Sequence, residues 1–374
     1  MKFKAQKYRI YPNKIQQEYF AKEFGCNRFI YNYCLDLQIK KYATDKTKYS
    51  KFDLNLQITK IKKDPQFTWL NEVNSQSLCD QTEHLECAFT KFFKKQGSFP
   101  KFKSKKDNYK FFKVRQSAKL INNKLKIPKV KEGIKIILHK QIEGTIQNVT
   151  ISKTPTNKYY ASITYKVEEI PVIKKPICEN QAVGIDLGIK TFAVISDNSI
   201  IENPKHLRKS LKRLKILSKK HSTKVKGSNN REKARLRLAL QYEKVTNQRK
   251  DFLHKTTSML LSKYDTICLE TLNVKGMIKN HKLALSISDL GIGMFNKFLE
   301  YKSLERGNNI LRIGTFQPSS KICSCGIINN DLKLSDRTWT CKSCNVTHDR
   351  DLLAANNIRK FSFIKYNTAG SAEI

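Results

Sequence analysis

The residues best equipped for chemistry lie between Gln317 and Ile358. Two cysteine pairs, Cys323/Cys325 and Cys341/Cys344, bracket a short polar segment, and His348-Asp349-Arg350-Asp351 follows directly. Cys341-x2-Cys344 has an ordinary zinc spacing, while Cys323-x-Cys325 is one residue shorter. Four thiolates within 22 residues suit tetrahedral Zn2+, so these four cysteines are the expected ligands. His348 stands close enough to substitute for one of them, but a histidine there more often makes a local hydrogen bond or touches nucleic acid. A second chemistry is carried by acids on apolar segments. Asp186 lies within AVGIDLGIKTFAVISD, Glu270 ends YDTICLE, and Asp351 opens a helix-like run. A lone carboxylate on a core strand is costly unless it is paired or binds metal. Three of them converging would cage one or two Mg2+ ions, which prefer hard oxygen ligands. Such a site can activate water against a phosphodiester. Isolated acids on strands are also commonly structural, so the spacing alone leaves both readings open.

What surrounds these residues is strongly basic. Lys and Arg number 72 against 32 Asp and Glu, a formal net charge of +40. A fold does not need that excess and suffers self-repulsion from it, so a polyanionic partner, DNA, RNA or both, is the expected neutraliser. The charge is concentrated. From Lys91 to Lys135 there are sixteen Lys/Arg and two acids, with rings interleaved as in Pro100-Lys101-Phe102-Lys103. Rings can stack on unpaired bases while lysines hold phosphates, which makes Lys101, Lys103, Lys105 and Lys106 candidate nucleic-acid contacts. From Lys205 to Lys255 there are eighteen Lys/Arg and three acids, and Arg249 and Lys255 are candidates there. The six cysteines outside the cluster, Cys26, Cys34, Cys79, Cys87, Cys178 and Cys268, read as reduced, buried thiols rather than a disulfide framework. No apolar run reaches membrane-spanning length, and MKFKAQKYRIYPNK lacks a signal-peptide core. The expectation is a soluble intracellular protein.

The elements that must position these groups follow from periodicity. Residues 2–11 alternate as a strand does, and Pro12 stops it. Asn13 with Gln16 predicts a capping box opening a long helix that carries Ile15, Tyr19, Phe20, Phe29, Ile30 and Tyr33. Leu78, Thr82, Leu85, Phe89 and Phe92 share one face of a helix near 75–95. Residues 13–96 are therefore expected as a helical bundle. Short strands with turns over 109–167 predict a β-barrel-like domain, residues 1–12 and 97–170, into which the bundle is inserted. Pro171 and Pro176 mark a linker. A new domain is expected over 181–316 and 346–365, with strands at 182–187, 191–196, 264–270 and 310–315, a basic helical hairpin over 205–255 and a helix over 290–306. The cysteine segment 317–345 is an insertion in it, and 366–374 a frayed tail.

Several segments in this order resemble the TnpB family, RNA-guided DNA endonucleases of bacterial insertion sequences, formerly described as transposases and similar to compact type V CRISPR effectors. KYRIYPNKIQQEYFAKEFGCNRFIYNYCL, GSFPKFKSKKD, GIDLGIKTFAVISD, LETLNVKGM, QRKDFLHK, PSSKICSCG with RTWTCKSC, and HDRDLLAANNI carry the resemblance across nearly the whole chain. It implies a multidomain α+β fold. A RuvC-like, RNase H-like nuclease domain with a zinc-ribbon-like insertion follows a wedge-type β-barrel interrupted by a helical recognition bundle. It implies Asp186, Glu270 and Asp351, rather than Asp349, as the Mg2+-binding catalytic triad, and Cys323, Cys325, Cys341 and Cys344 as ligands of a structural Zn2+. The implied partners are a guide RNA from the transposon right end and double-stranded target DNA bearing a transposon-associated motif, read within residues 45–130. The implied location is the bacterial cytoplasm, at the nucleoid. In such effectors base pairing reads the target. One departure stands out: where the family pattern has Asn two residues after the last Asp, this chain has Leu353. That substitution motivates the alternative of a guided DNA-binding regulator with weak or no nuclease activity; a transposase accessory protein is a separate alternative.

Overall fold

A seven-stranded antiparallel sheet and a five-stranded mixed sheet organise two units, residues 1–170 and 171–374. The computed structural model describes residues 2–370 apart from Asn108, Gln116, Glu169, Ile170, Phe316 and Leu334. No helix among the described residues is long and apolar enough to cross a membrane.

In the first unit, β1 (Lys2–Tyr11) alternates in burial and sits mid-sheet. The others are β2 (Phe111–Arg115), β3 (Lys119–Ile121), β4 (Lys124–Lys126), β5 (Ile134–Ile137), β6 (Thr145–Lys153) and β7 (Tyr159–Val167), in the order β2-β6-β7-β1-β5-β4-β3. β1 pairs with β7 from Lys2↔Val167 to Ile10↔Tyr159, and its end also pairs with β5. The end strands β2 and β3 are not paired with each other, so the sheet is an open, curled half-barrel. Between β1 and β2 come α1 (Lys14–Asp45), α2 (Lys51–Ile61), a 3-10 turn (Pro65–Glu72) and α3 (Ser75–Phe93). The capping box is present: the Gln16 N–H donates to Asn13 Oδ1 at 2.9 Å and the Asn13 N–H to Gln16 Oε1 at 3.1 Å. α1 serves two cores. Phe20 and Phe24 enter the half-barrel beside Tyr8 and Phe112, while Ile30, Cys34 and Leu35 pack with Leu54, Ile58, Leu70 and Leu78 of the bundle. Ile15, on the first turn of α1, is 77% exposed.

The second unit is built on β8 (Ala182–Leu187), β9 (Thr191–Ile195), β10 (Ile200–Glu202), β11 (Thr266–Glu270) and β12 (Asn309–Ile313), ordered β10-β9-β8-β11-β12. β8 runs antiparallel to β9 and parallel to β11, which runs parallel to β12. Two long basic helices, α4 (His206–Ser222) and α5 (Asn229–Lys263), lie between β10 and β11. α6 (Val274–Ile278), α7 (Ala284–Leu290) and α8 (Ile292–Arg306) precede β12. The helix expected as continuous over 290–306 starts only after Gly291, whose φ of +70° ends α7. A hairpin, β13 (Thr338–Thr340) and β14 (Thr347–Asp349), leads into α9 (Arg350–Gly370). α9 runs past the point where fraying is expected at 366, and only 371–374 of that tail lie outside the described residues.

Strand alternation divides the sheet's faces. Val183, Ile185, Ile267 and Leu269 meet Leu253, Leu260 and Leu261 of α5 and Phe295 and Leu299 of α8. On the opposite face Ala182, Cys268 and Ile313 meet Ile358 and Phe363 of α9. Cys26, Cys34 and Cys268 are buried as expected, but Cys87 and Cys178 are exposed.

Candidate active site and zinc knuckle

Asp186 and Glu270 share the α9 face of the sheet, because each lies two residues beyond a residue packed there, Gly184 and Cys268. The strands carrying them are adjacent and parallel with Leu269 opposite Ile185, so the next residues, Glu270 and Asp186, are neighbours. Asp351 arrives on the first turn of α9. That helix crosses β8 so closely that a Cβ on Gly184 would lie 2.0 Å from the Ala355 carbonyl oxygen and 2.8 Å from the Arg359 nitrogen. Ala354 and Ala355, both buried, keep the helix side of the crossing small.

The electrostatics register the convergence. Burial, then the charges of Asp351 and Glu270, push the Asp186 carboxyl up to about 7, with Arg350 pulling it partly back. Burial also raises Glu270. Among the described residues neither the Asp186 nor the Glu270 carboxylate has an ion-pair or hydrogen-bond partner. Two partly buried acids without a partner, repelled by a third, form a hard-oxygen donor set that fits a divalent cation. Asp351 differs from them: Arg337 Nη1 donates to its Oδ2 at 3.0 Å. Asp349 has another task, accepting the Leu352 N–H at 2.9 Å as the cap of α9.

The cysteines converge fully. Cys323 and Cys344 Sγ are 3.4 Å apart, Cys325 and Cys341 Sγ are 3.7 Å apart, and all four lie within 4.8 Å of one another. A Zn–S bond of about 2.3 Å in a tetrahedron sets sulfurs about 3.8 Å apart, so the quartet fits Zn2+. The short first pair closes through a turn in which the Gly326 N–H donates to the Cys323 carbonyl at 2.9 Å, with Gly326 at φ +92°. Burial resists ionisation of Cys323, yet the Cys325 N–H and the His348 ring draw it down to about 5; at Cys344 the Val346 N–H pulls the thiol down, but the neighbouring thiols and burial together outweigh it and drive it up. Sulfurs this crowded cannot all ionise without a cation among them. His348 stands outside the quartet, its Nε2 3.0 Å from Cys323 Sγ, supporting a ligand rather than replacing one. Among the described residues the quartet is the one group of three or more such ligands already gathered within the reach of a single ion, and the three carboxylates are not.

Knuckle and carboxylates share α9. Leu353 packs with Cys323, Trp339 and Cys341, so its side chain lines the knuckle's apolar core. Asn357 donates from Nδ2 to the carbonyls of Ser319 and Ile322, both at 2.7 Å. Sequence reasoning found the acids and cysteines but missed Gly184, Arg337 and Asn357, whose roles depend on contacts between segments far apart in the chain.

The basic candidates divide. Lys101, Lys105 and Lys106 are exposed. Lys103 is built in: its backbone pairs both ways with the Asn32 side chain and its ammonium lies 5.1 Å from the Tyr31 ring centre. Arg249 is an internal strut, 3.2 Å from Asp289. Asp289 also accepts the Leu207 and Arg208 N–H groups at the start of α4. Lys255 is exposed and, among the described residues, makes only an i,i+4 pair with Asp251.

Residues 162–281 match the OrfB_IS605 family, described as "Probable transposase", and residues 293–358 match the "Cas12f1-like, TNB domain". Residues 1–47 match a "Helix-turn-helix domain", although here they form β1 and one unbroken helix. A Streptomyces pristinaespiralis protein named "Putative RNA-guided DNA endonuclease" is 34% identical over 359 residues, 95% of this chain and 88% of its own. The chain belongs to the TnpB family. A similarly named protein, InsQ of Escherichia coli (strain K12), is 28% identical over 96% of this chain and 92% of its own. The cryo-EM structure of a Cas12f1 with sgRNA and target DNA superposes with a TM-score of 0.50 at 15% identity, over 96% of this chain and 98% of that one. At that identity the likeness speaks for the fold, which TnpB and the compact effector share.

Proposed function

We propose that this TnpB protein is an RNA-guided, RuvC-type DNA endonuclease that hydrolyses target DNA beside a transposon-associated motif. Its guide would come from the transposon right end, and it would act at the bacterial nucleoid. The observation that carries the reading is that Asp186 and Glu270, on neighbouring strands, share the sheet face crossed by α9, the helix that bears Asp351. Asp186, Glu270 and Asp351 would hold Mg2+. The ion, when bound, supplies Lewis acidity to the scissile phosphate and lowers the pKa of a bound water. Asp186 and Glu270 contribute unpaired carboxylates beside the helix that delivers Asp351. The α4–α5 hairpin offers exposed cations such as Arg208, Lys212, Lys215 and Lys219 to a phosphate backbone. The exposed Lys101, Lys105 and Lys106 alternate with exposed Phe99 and Phe102, a surface suited to bases and phosphates together. All three acids are present and Leu353 is accounted for by packing, so the observations favour a cutting enzyme over a purely binding one. The test is a plasmid with a matched target and randomised flanks, incubated with protein, its copurified RNA and Mg2+. Cutting beside one enriched flank, abolished by Asp186→Ala and Glu270→Ala, is expected. Binding without cutting by the wild type, or cutting that survives both substitutions, would sink the reading.

A further inference from the structure

We propose that Arg337 is an internal rival of the divalent metal, competing with it for the Asp351 carboxylate. The inference rests on Asp351 being a metal ligand. Arg337 immediately precedes β13, and its place is set twice. Thr338, the next residue, pairs with Asp349 in the β13–β14 ladder, and the Arg337 carbonyl accepts the Arg350 N–H at 2.8 Å. The guanidinium is thereby anchored against the first turn of α9, where Nη1 donates to Asp351 Oδ2 at 3.0 Å.

Three further observations point the same way. Of the three acids only Asp351 has a cationic partner among the described residues. The three carboxylates are not drawn together as the cysteines are. Both members of the pair are partly exposed, the Arg337 side chain by 51% and that of Asp351 by 32%, so the bond is weak enough to exchange. A guanidinium and a divalent cation cannot both sit against one carboxylate oxygen without strong mutual repulsion. Arg337 holds Oδ2 and leaves Oδ1 to a metal, so the two cations compete for the charge of one carboxylate. The β13–β14 hairpin of the knuckle sets where Arg337 stands. An arriving phosphodiester gives the freed guanidinium a bidentate partner, so metal loading and strand binding favour each other.

The test uses the full-length protein without nucleic acid and Mn2+ as the probe, with free Mn2+ followed by electron paramagnetic resonance. Zinc content and melting temperature are recorded for every variant. Arg337→Gln is expected to bind Mn2+ roughly two- to tenfold more tightly than wild type, with the ratio shrinking at high salt. Arg337→Lys keeps the charge and is expected to stay near the wild type; it is the second variant should Arg337→Gln lose zinc. Asp186→Asn is expected to remove the Mn2+ site in every background. Unchanged or weaker Mn2+ binding by Arg337→Gln, while Asp186→Asn still abolishes the site, overturns the inference and leaves the metal reading intact. An equal gain in Arg337→Lys also overturns it. Mn2+ binding indifferent to Asp186→Asn overturns both.

Discussion

Replacing Gly184 with alanine tests the crossing on which the site depends. The added methyl would sit 2.0 Å from the Ala355 carbonyl oxygen and 2.8 Å from the Arg359 nitrogen, whereas real Cβ contacts stay beyond 3.0 Å. Both obstacles are helix backbone, so no rotamer change relieves them, and β8 and α9 must separate by about 1 Å. Lifting α9 weakens the packing of Ile358 and Phe363 on Ala182, Cys268 and Ile313. Bowing β8 displaces Asp186, two residues farther along. Overpacking of this kind costs about 1–3 kcal/mol, which for a unit of this size lowers the melting temperature by roughly 3–10 °C. A shift of about 1 Å between Asp186 and Asp351 costs roughly a hundredfold in rate. Scanning calorimetry and single-turnover cleavage read the two effects separately. Gly25→Ala is the matched control. It lies inside α1, an added Cβ there meets nothing within 4 Å, and the substitution is expected to stabilise by up to about 1 kcal/mol. If Gly184→Ala melts and cuts like the wild type, helix and strand are not in the contact described, and the account of how Asp351 reaches Asp186 fails.

Two further outcomes follow from the site's chemistry. Asp186 has its folded-state pKa raised to about 7 from the ordinary 3.8, so between those values the folded state binds a proton that the unfolded chain lacks. Its contribution to stability is thus present in full at the acid end and lost as pH rises towards 7. The metal-free protein should melt lower at pH 8 than at pH 5, and Asp186→Asn should flatten that slope. Mn2+ affinity should fall about tenfold per pH unit below 7 as the proton competes for the carboxylate, and an affinity flat from pH 5.5 to 8 would contradict this. Stripping zinc with a strong chelator, or Cys344→Ser, should change the fluorescence of Trp339, which is buried against His348 and the knuckle core, while leaving Trp69 in the other unit unaffected. A protein that purifies without zinc and shows no change would refute the knuckle.

What could be read from the chain, and what could not, follows from how far each signal reaches. The capping box at Asn13, the apolar strands around Asp186 and Glu270, and the cysteine spacing are local patterns, and the elements appear where those patterns lie. Leu353 shows the limit. As a neighbour of Asp351 in sequence it read as a change beside the metals. A helix advances about 100° per residue, so Leu353 points away from Asp351 and into the knuckle, while Ala355, one turn on, shares the Asp351 side and meets Gly184. Arg337 was harder still to find. It stands 14 residues before Asp351 with no periodicity linking them, and they meet only because the β13–β14 hairpin doubles back. Long-range pairing likewise explains why Lys2–Tyr11 sits in the middle of a sheet whose other strands begin only at Phe111. The first turns of α9 therefore carry two constraints at once. One face must fit a sheet bearing two acids, and the other must complete the cysteine knuckle. A substitution on either face is felt at the other, so losing zinc should disturb Asp351 even though no cysteine touches a carboxylate.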